Sequence, residues 1–172
     1  MNDLILFGLS VVLSFLAWGA VCRRYVWPRI RTETLADAVR PLLHFHLFRF
    51  VGASFLISGV AGAGLPQAFA TPAALGDLAA VALAWSALLS LRTAAAPAML
   101  WLFNLWGTAD LLFAFYHGVF DPDFHPASLG AAFYIPTVLV PLLLCTHVMI
   151  FALLLRSAKP ATATGRAPST PQ

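Results

Sequence analysis

A chain of 172 residues that is 60% hydrophobic and only 10% charged has well under half the roughly 25% charged content of an ordinary globular domain. A soluble fold of this length has too little interior to hide so many Phe, Leu, Val and Ala side chains. The net charge of +3 comes from cations that flank apolar blocks and form no basic stripe, which argues against nucleic acid and for membrane orientation.

Five apolar blocks, each of roughly 17–22 residues, have the length a helix needs to cross a bilayer. The first, about 4–21, follows acidic Met1-Asn2-Asp3 and precedes Arg23-Arg24. That order is the reverse of a secretory signal, so this block is expected to stay as an anchor. Tyr25 and Trp27 stand among arginines, as in an interfacial belt. Residues 32–39 read as a short surface helix, capped by Thr32, with Glu33 at its positive end and Pro41 as its limit.

The second span is expected at about 42–64, where Ser54, Ser58 and Gly62 recur every fourth residue. The third, about 75–91, repeats the device with Gly76, Ala80 and Ala84, and the two small-residue stripes are expected to touch. The apolar run from Pro66 to Asp77 between them is expected at the interface or dipping back into the protein. Asp77, after Gly76, then reads as a helix-capping carboxylate.

The fourth span, about 97–116, leads into a turn-forming stretch with His117, Asp121, Asp123 and His125. The fifth, about 134–155, holds Pro136 and Pro141 and is expected to be kinked. Residues 157–172 read as a disordered cytoplasmic tail. Five crossings put Arg23, Arg24, Arg29, Arg31, Arg40, Arg92, Arg156, Lys159 and Arg166 on one face and Asp3, Asp121 and Asp123 on the other. The positive-inside rule then places the N-terminus outside and the C-terminus in the cytoplasm. The expected architecture is one all-α transmembrane bundle, residues 1–156, in the inner (plasma) membrane.

Polar residues at membrane depth are costly, about 2.5–3.5 kcal/mol for Asp or Arg on insertion scales, and so mark sites. The candidates for a polar network or ligand site are Arg49, Asp77, Asn104, Asp110 and His147. With its helix starting near Leu42, Arg49 lies two turns inside and can snorkel to the headgroups. Asp110 lies about four turns in, roughly 10 Å deeper, which strains direct pairing with Arg49. Asn104 and His147 fall at similar depth and suit an interhelical hydrogen bond.

His46 and His147 provide the two imidazoles for a haem b or quinone redox module, although no CxxCH attachment is present. His44 and His46 are two apart and point to opposite sides of a helix. No HExxH motif or cysteine cluster indicates a metal centre, and no nucleophile or phosphate-loop signature indicates an enzyme. Cys22 and Cys145, some 10 Å apart in depth, read as free thiols.

The runs Phe48-Arg-Phe-Val-Gly-Ala-Ser-Phe-Leu56, Leu65-Pro-Gln-Ala-Phe-Ala-Thr-Pro-Ala73 with Gly76-Asp77, Asn104-Leu-Trp-Gly-Thr-Ala-Asp-Leu111 and Ile135-Pro-Thr-Val-Leu-Val-Pro141 form a recognisable set. With them, residues 44–155 resemble small uncharacterised bacterial integral membrane proteins. The resemblance implies a bacterial inner-membrane home and no particular activity. The expected protein is therefore an integral membrane protein whose polar network binds a small ligand or a partner. The alternatives are the haem or quinone module and a subunit of a proton- or cation-coupled transporter in which Asp110 titrates. The expected partners are membrane lipid and either further copies of the chain or a partner membrane protein.

Overall fold

The computed structural model describes residues 3–158, all of it helix and connection, with no strand among the described residues. Helix α1 is Asp3–Ile30, α2 is Leu35–Leu47, α3 is Gln67–Ser90, α4 is Ala96–Phe120 and α5 is Ile135–Ser157. A 3-10 segment, Phe48–Leu56, continues α2, and a second, Pro126–Phe133, precedes α5. The stretches Asp3–Ile30, Gln67–Ser90, Ala96–Gly118 and Ile135–Ser157 are long and apolar enough to cross a membrane. Of the expected tail, Ser157 closes α5 and residues 159–172 lie outside the described residues.

Several helix limits differ from those read in the sequence, each for a local reason. The helix expected at 32–39 and the start of the second span are one helix, and its cap is Thr34, whose hydroxyl accepts the Asp37 N–H. Thr32 instead donates to the carbonyl of Arg29 and closes α1. Pro41 sits inside α2 and removes a hydrogen bond there. Ala38, Val39, Leu42 and Leu43, all fully buried, hold the turns on either side of it against the bundle.

The helix expected to run on to residue 64 tightens into the 3-10 segment at Phe48 and stops at Leu56. Ser58 and Gly62 are therefore not on a helical face. Gly76, Ala80 and Ala84 of α3 are buried as a stripe, and α3 meets α2 and the 3-10 segment instead. The run from Pro66 to Asp77 is no loop: Pro66 flanks the helix start in an extended conformation, and α3 is helical from Gln67 with Pro72 inside it. Phe69 anchors that first turn against Phe55 and Phe124.

Two π-helical segments, Cys22–Val26 and Ile135–Leu139, each end two residues before a proline, Pro28 and Pro141. A proline lacks the donor and crowds the preceding turn, and a widened turn accommodates both defects. The expected kink of the last helix thus takes the form of a π turn.

The bundle has two apolar cores. One gathers Ile30, Leu42, Leu43, Leu100, Phe103 and Leu154 near the α1–α2 connection. The other gathers Phe7, Phe55, Phe69, Leu111, Phe124 and Leu129 at the opposite end. Helix α5 packs on α1, α2 and α4, and α3 on α2, α4 and the 3-10 segment. Helix α1 is peripheral and leaves Leu4, Leu9, Val12, Leu13 and Leu16 exposed. The polar residues of the middle helices fall between the two cores.

Candidate functional site

Helix lengths set the depth of each polar side chain. Arg49 is the fifteenth residue counted from Leu35, and Asp110 is the fifteenth counted from Ala96. Both stand about 21 Å along the bundle from the same end. Asp77 lies thirteen residues before Ser90, the residue that precedes the turn into α4, at about 20 Å from that end. Three helical elements thus bring one cation and two carboxylates to one level.

Arg49 is fully buried at its side chain and bridges the two acids. Its Nε donates to Asp77 Oδ1 at 2.6 Å, Nη2 donates to Asp110 Oδ2, and Nη1 donates to the carbonyl of Gly107 at 3.2 Å. The fixed fork of guanidinium donors makes such a double bridge available to Arg and not to Lys. Three expectations are corrected here. Arg49 does not snorkel, and its pairing with Asp110 is direct, because α2 begins at Leu35 and not near Leu42. Asp77 is not a cap either; it lies in the interior of α3.

Glycines make the cluster possible by their lack of a side chain. A β-carbon on Gly52 would collide with the carboxylate of Asp77, and one on Gly76 with that of Asp110. One on Gly107 would lie 2.6 Å from the His147 ring and 3.0 Å from Arg49 Nη1. Each acid therefore rests one oxygen on the arginine and the other against a glycine.

A layer of neutral donors and acceptors lies beside the ions. Asn104 Nδ2 donates to the backbone carbonyl of His147 at 3.2 Å, so its Oδ1 accepts from His147 Nδ1 at 2.6 Å. The Thr146 hydroxyl donates to the carbonyl of Leu143, so it accepts from His46 Nε2 at 3.0 Å. These networks assign both tautomers. They leave His147 Nε2 and His46 Nδ1 as buried acceptors without a hydrogen-bond partner. His147 Nε2 lies against Gly107 and next to Arg49.

The two imidazole rings are 4.2 Å apart, centre to centre. That is van der Waals contact, about 3.5–4.0 Å between ring atoms, and a haem plane does not fit between them. The residues as arranged do not form an axial pair. His44 turns away, exposed, with Nδ1 on the carbonyl of Arg40 at 2.7 Å. In the turn after α4, Asp121 accepts the Asp123 N–H at 3.0 Å and faces His117 at 4.0 Å, while His125 is exposed. No group of three or more metal-ligating side chains occurs among the described residues.

Three spaces reach the acids, one of which, of about 300 Å³, borders Arg49 and Asp77 between the 3-10 segment and α5. A small cavity of about 30 Å³ touches both Asp77 and Asp110 and is walled by Phe7, Phe55, Phe69 and Phe124; it has room for about one or two waters. A groove of about 610 Å³ on the outer face of α3 and α4 has Asp110 in its wall.

A family model described as a domain of unknown function (DUF8737) matches residues 6–155. The chain belongs to the DUF8737 family. The match takes in most of α1, all of α2 to α4 and most of α5, with every residue of the polar cluster. Comparison with curated proteins and with solved structures returns no match.

In this DUF8737 chain the sequence reading overlooked Gly52, Gly107 and Thr146. Their signal was present but slight: Gly52 is three residues after Arg49, Gly107 three before Asp110, and Thr146 adjoins His147. A small residue one turn from an in-span charge is a place for a second charged chain to lie.

Proposed function

We propose that this chain is a multi-pass protein of the inner (plasma) membrane, and that the Arg49–Asp77–Asp110 cluster is a proton- or cation-binding site, as in a subunit of a coupled transporter. Apolar helices and the sorting of arginines and aspartates support the location. Helix α2 with its 3-10 extension is about 37 Å long at the two helical rises, enough for a fifth crossing of a hydrocarbon core about 30 Å thick. Five crossings put the N-terminus outside and the C-terminus in the cytoplasm.

One observation carries the functional reading: a single buried guanidinium faces two carboxylates, which leaves one negative charge in excess. His147 Nδ1 is engaged by Asn104, and its Nε2 lies beside the Arg49 guanidinium, so the ring makes no ion pair with the acids. An uncompensated ion in a dry interior costs several kcal/mol. The site is therefore most stable with one further positive charge, and a proton on a carboxylate is the smallest way to supply it. Each acid borders the small cavity and one larger space, and Asp110 is the exchangeable member because it opens on the larger of these, the groove of about 610 Å³.

Infrared spectroscopy of the protein in lipid tests this. A carbonyl stretch of a protonated carboxyl is expected at neutral pH, absent from Asp110→Asn and bleached as the pH is raised. Loss of the reading follows if wild type shows only ionised carboxylates across the range in which the helices stay folded.

A further inference from the structure

The groove on the outer face of α3 and α4 combines an apolar wall, aromatic rims and one carboxylate. Pro72, Leu75, Gly76 and Ala79 come from α3, and Trp106, Ala109, Asp110 and Phe113 from α4. Leu75, Trp106 and Phe113 are each about half exposed, so the groove opens sideways onto the apolar surface of the bundle. Trp106, Asp110 and Phe113 are three and four residues apart on α4 and share its groove side. The indole is steadied by its N–H, which points at the carbonyl of Gly76 at 3.5 Å.

Asp110 divides its oxygens between the two sides of this wall. Oδ2 accepts from Arg49 in the bundle interior. Oδ1 lies against Gly76 on the groove side, and the side chain keeps 13% of its surface exposed. The excess negative charge of the cluster thus has an outlet in a greasy slot flanked by two aromatic faces. Aromatic faces and a carboxylate together are what an organic cation binds, through cation–π attraction and ion pairing. An inorganic ion would need a shell of oxygens that Leu75, Ala79 and Phe113 do not provide.

We propose that this groove binds a lipophilic organic cation, a protonated or quaternary amine or its phosphonium analogue, entering from the side of the bundle. The assignment rests on the proton-holding reading of the cluster in one respect. The cation takes the place of the proton on Asp110, so binding releases about one proton and weakens as the pH falls. The charged and titratable groups that face Asp110 are Arg49 from the 3-10 segment, Asp77 from α3 and His147 from α5, with His117 two turns away on its own helix.

The test uses the full-length protein in lipid nanodiscs with tetraphenylphosphonium, and tetraphenylborate as an anion of the same shape. Saturable quenching of tryptophan fluorescence by the cation and none by the anion is expected. Asp110→Asn is expected to weaken cation binding at least tenfold with the helical content kept. Ala109→Phe, an exposed position that fills the groove without touching the cluster, is expected to abolish it.

Equal response to both ions, or unchanged cation binding in Asp110→Asn, overturns the proposal. So does the absence of any response, as when a lipid chain or a second copy of the protein fills the slot. Proton release measured with a pH indicator separates the two readings. Cation binding that depends on Asp110 but releases no proton keeps the groove and removes the proton-holding site. A protonated carboxyl in the infrared with no cation binding does the reverse.

Discussion

Arg49 has one positive charge and shares it between two acids, so the cluster's response to substitution depends on how many charges each variant leaves unmatched. Asp77→Asn and Asp110→Asn each leave one cation facing one anion, with an amide still able to accept from the guanidinium. Either single change is expected to move the unfolding temperature in detergent by a few degrees at most. The double variant strands Arg49, and Arg49→Leu strands two carboxylates; breaking a buried pair in this way typically costs about 3–5 kcal/mol. Near-ultraviolet circular dichroism on heating should therefore rank both singles close to wild type and both of the others far below. If the singles lose as much as the double, each acid is held by something other than the charge balance.

At this scale the sequence was legible where depth alone decided. Asn104 and His147 pair as their spacing indicates, because α4 and α5 begin and end close to where their apolar runs do. Arg49 and Asp77 were misplaced for a shared reason: their helices begin seven or eight residues earlier than hydropathy marks. Polar residues at 32–41 and prolines at 66 and 72 disguise helix that burial enforces. A two-turn error in a helix start is about 11 Å of depth, enough to turn an ion pair into an apparent mismatch. The glycine contacts were beyond reach from one chain, since they need two helices in register.

Elements add a second correction. The apolar runs separate Cys22 and Cys145 in depth, yet both line one cavity of about 360 Å³ between α1 and α5, and their thiols are close enough to influence one another. The cause is the length of α1, which continues through the π turn at Cys22 to Ile30, so that Cys22 is not its end. Arg156 stacking 5.7 Å above the Trp27 ring fixes the same pairing one layer further on.

Diamide treatment of the protein in membranes is expected to join the two thiols, the reagent taking up both electrons and both protons. The product should migrate as a compact monomer on a non-reducing gel, revert with dithiothreitol and be absent from Cys22→Ser. Bands at the dimer position alone would place α1 against another copy and not against its own α5. The π turns themselves had only proline as a written clue, and proline marks a defect without saying whether the helix kinks, widens or stops.

For the whole molecule, the decisive element is the one composition describes least well. Helix α2 starts beside Ile30 in one apolar core, and its 3-10 extension ends with Phe55 against Phe69, in the core that also holds Phe7 and Phe124. The chain between Leu35 and Leu56 therefore runs from one end of the bundle to the other, although it is not among the four stretches that qualify as spans by length and apolarity. Its interruption at Phe48 is where the interior acquires Arg49, so the departure from a regular apolar helix and the polar site are one feature. On the proposed fivefold crossing α3 starts at the end of the bundle away from the close of α1, where Phe69 meets Phe55 and Phe124.

The number of crossings fixes the relation of the termini. Periplasm-active and cytoplasm-active reporters fused at each end are expected to show the N-terminus outside and the C-terminus inside, with the Arg92 turn on the cytoplasmic side as well. Both ends on one side would mean that Leu35–Leu56 lies along the surface. The arginine at its centre could then reach headgroups, and the buried charge excess on which the functional reading rests would vanish with the fifth crossing.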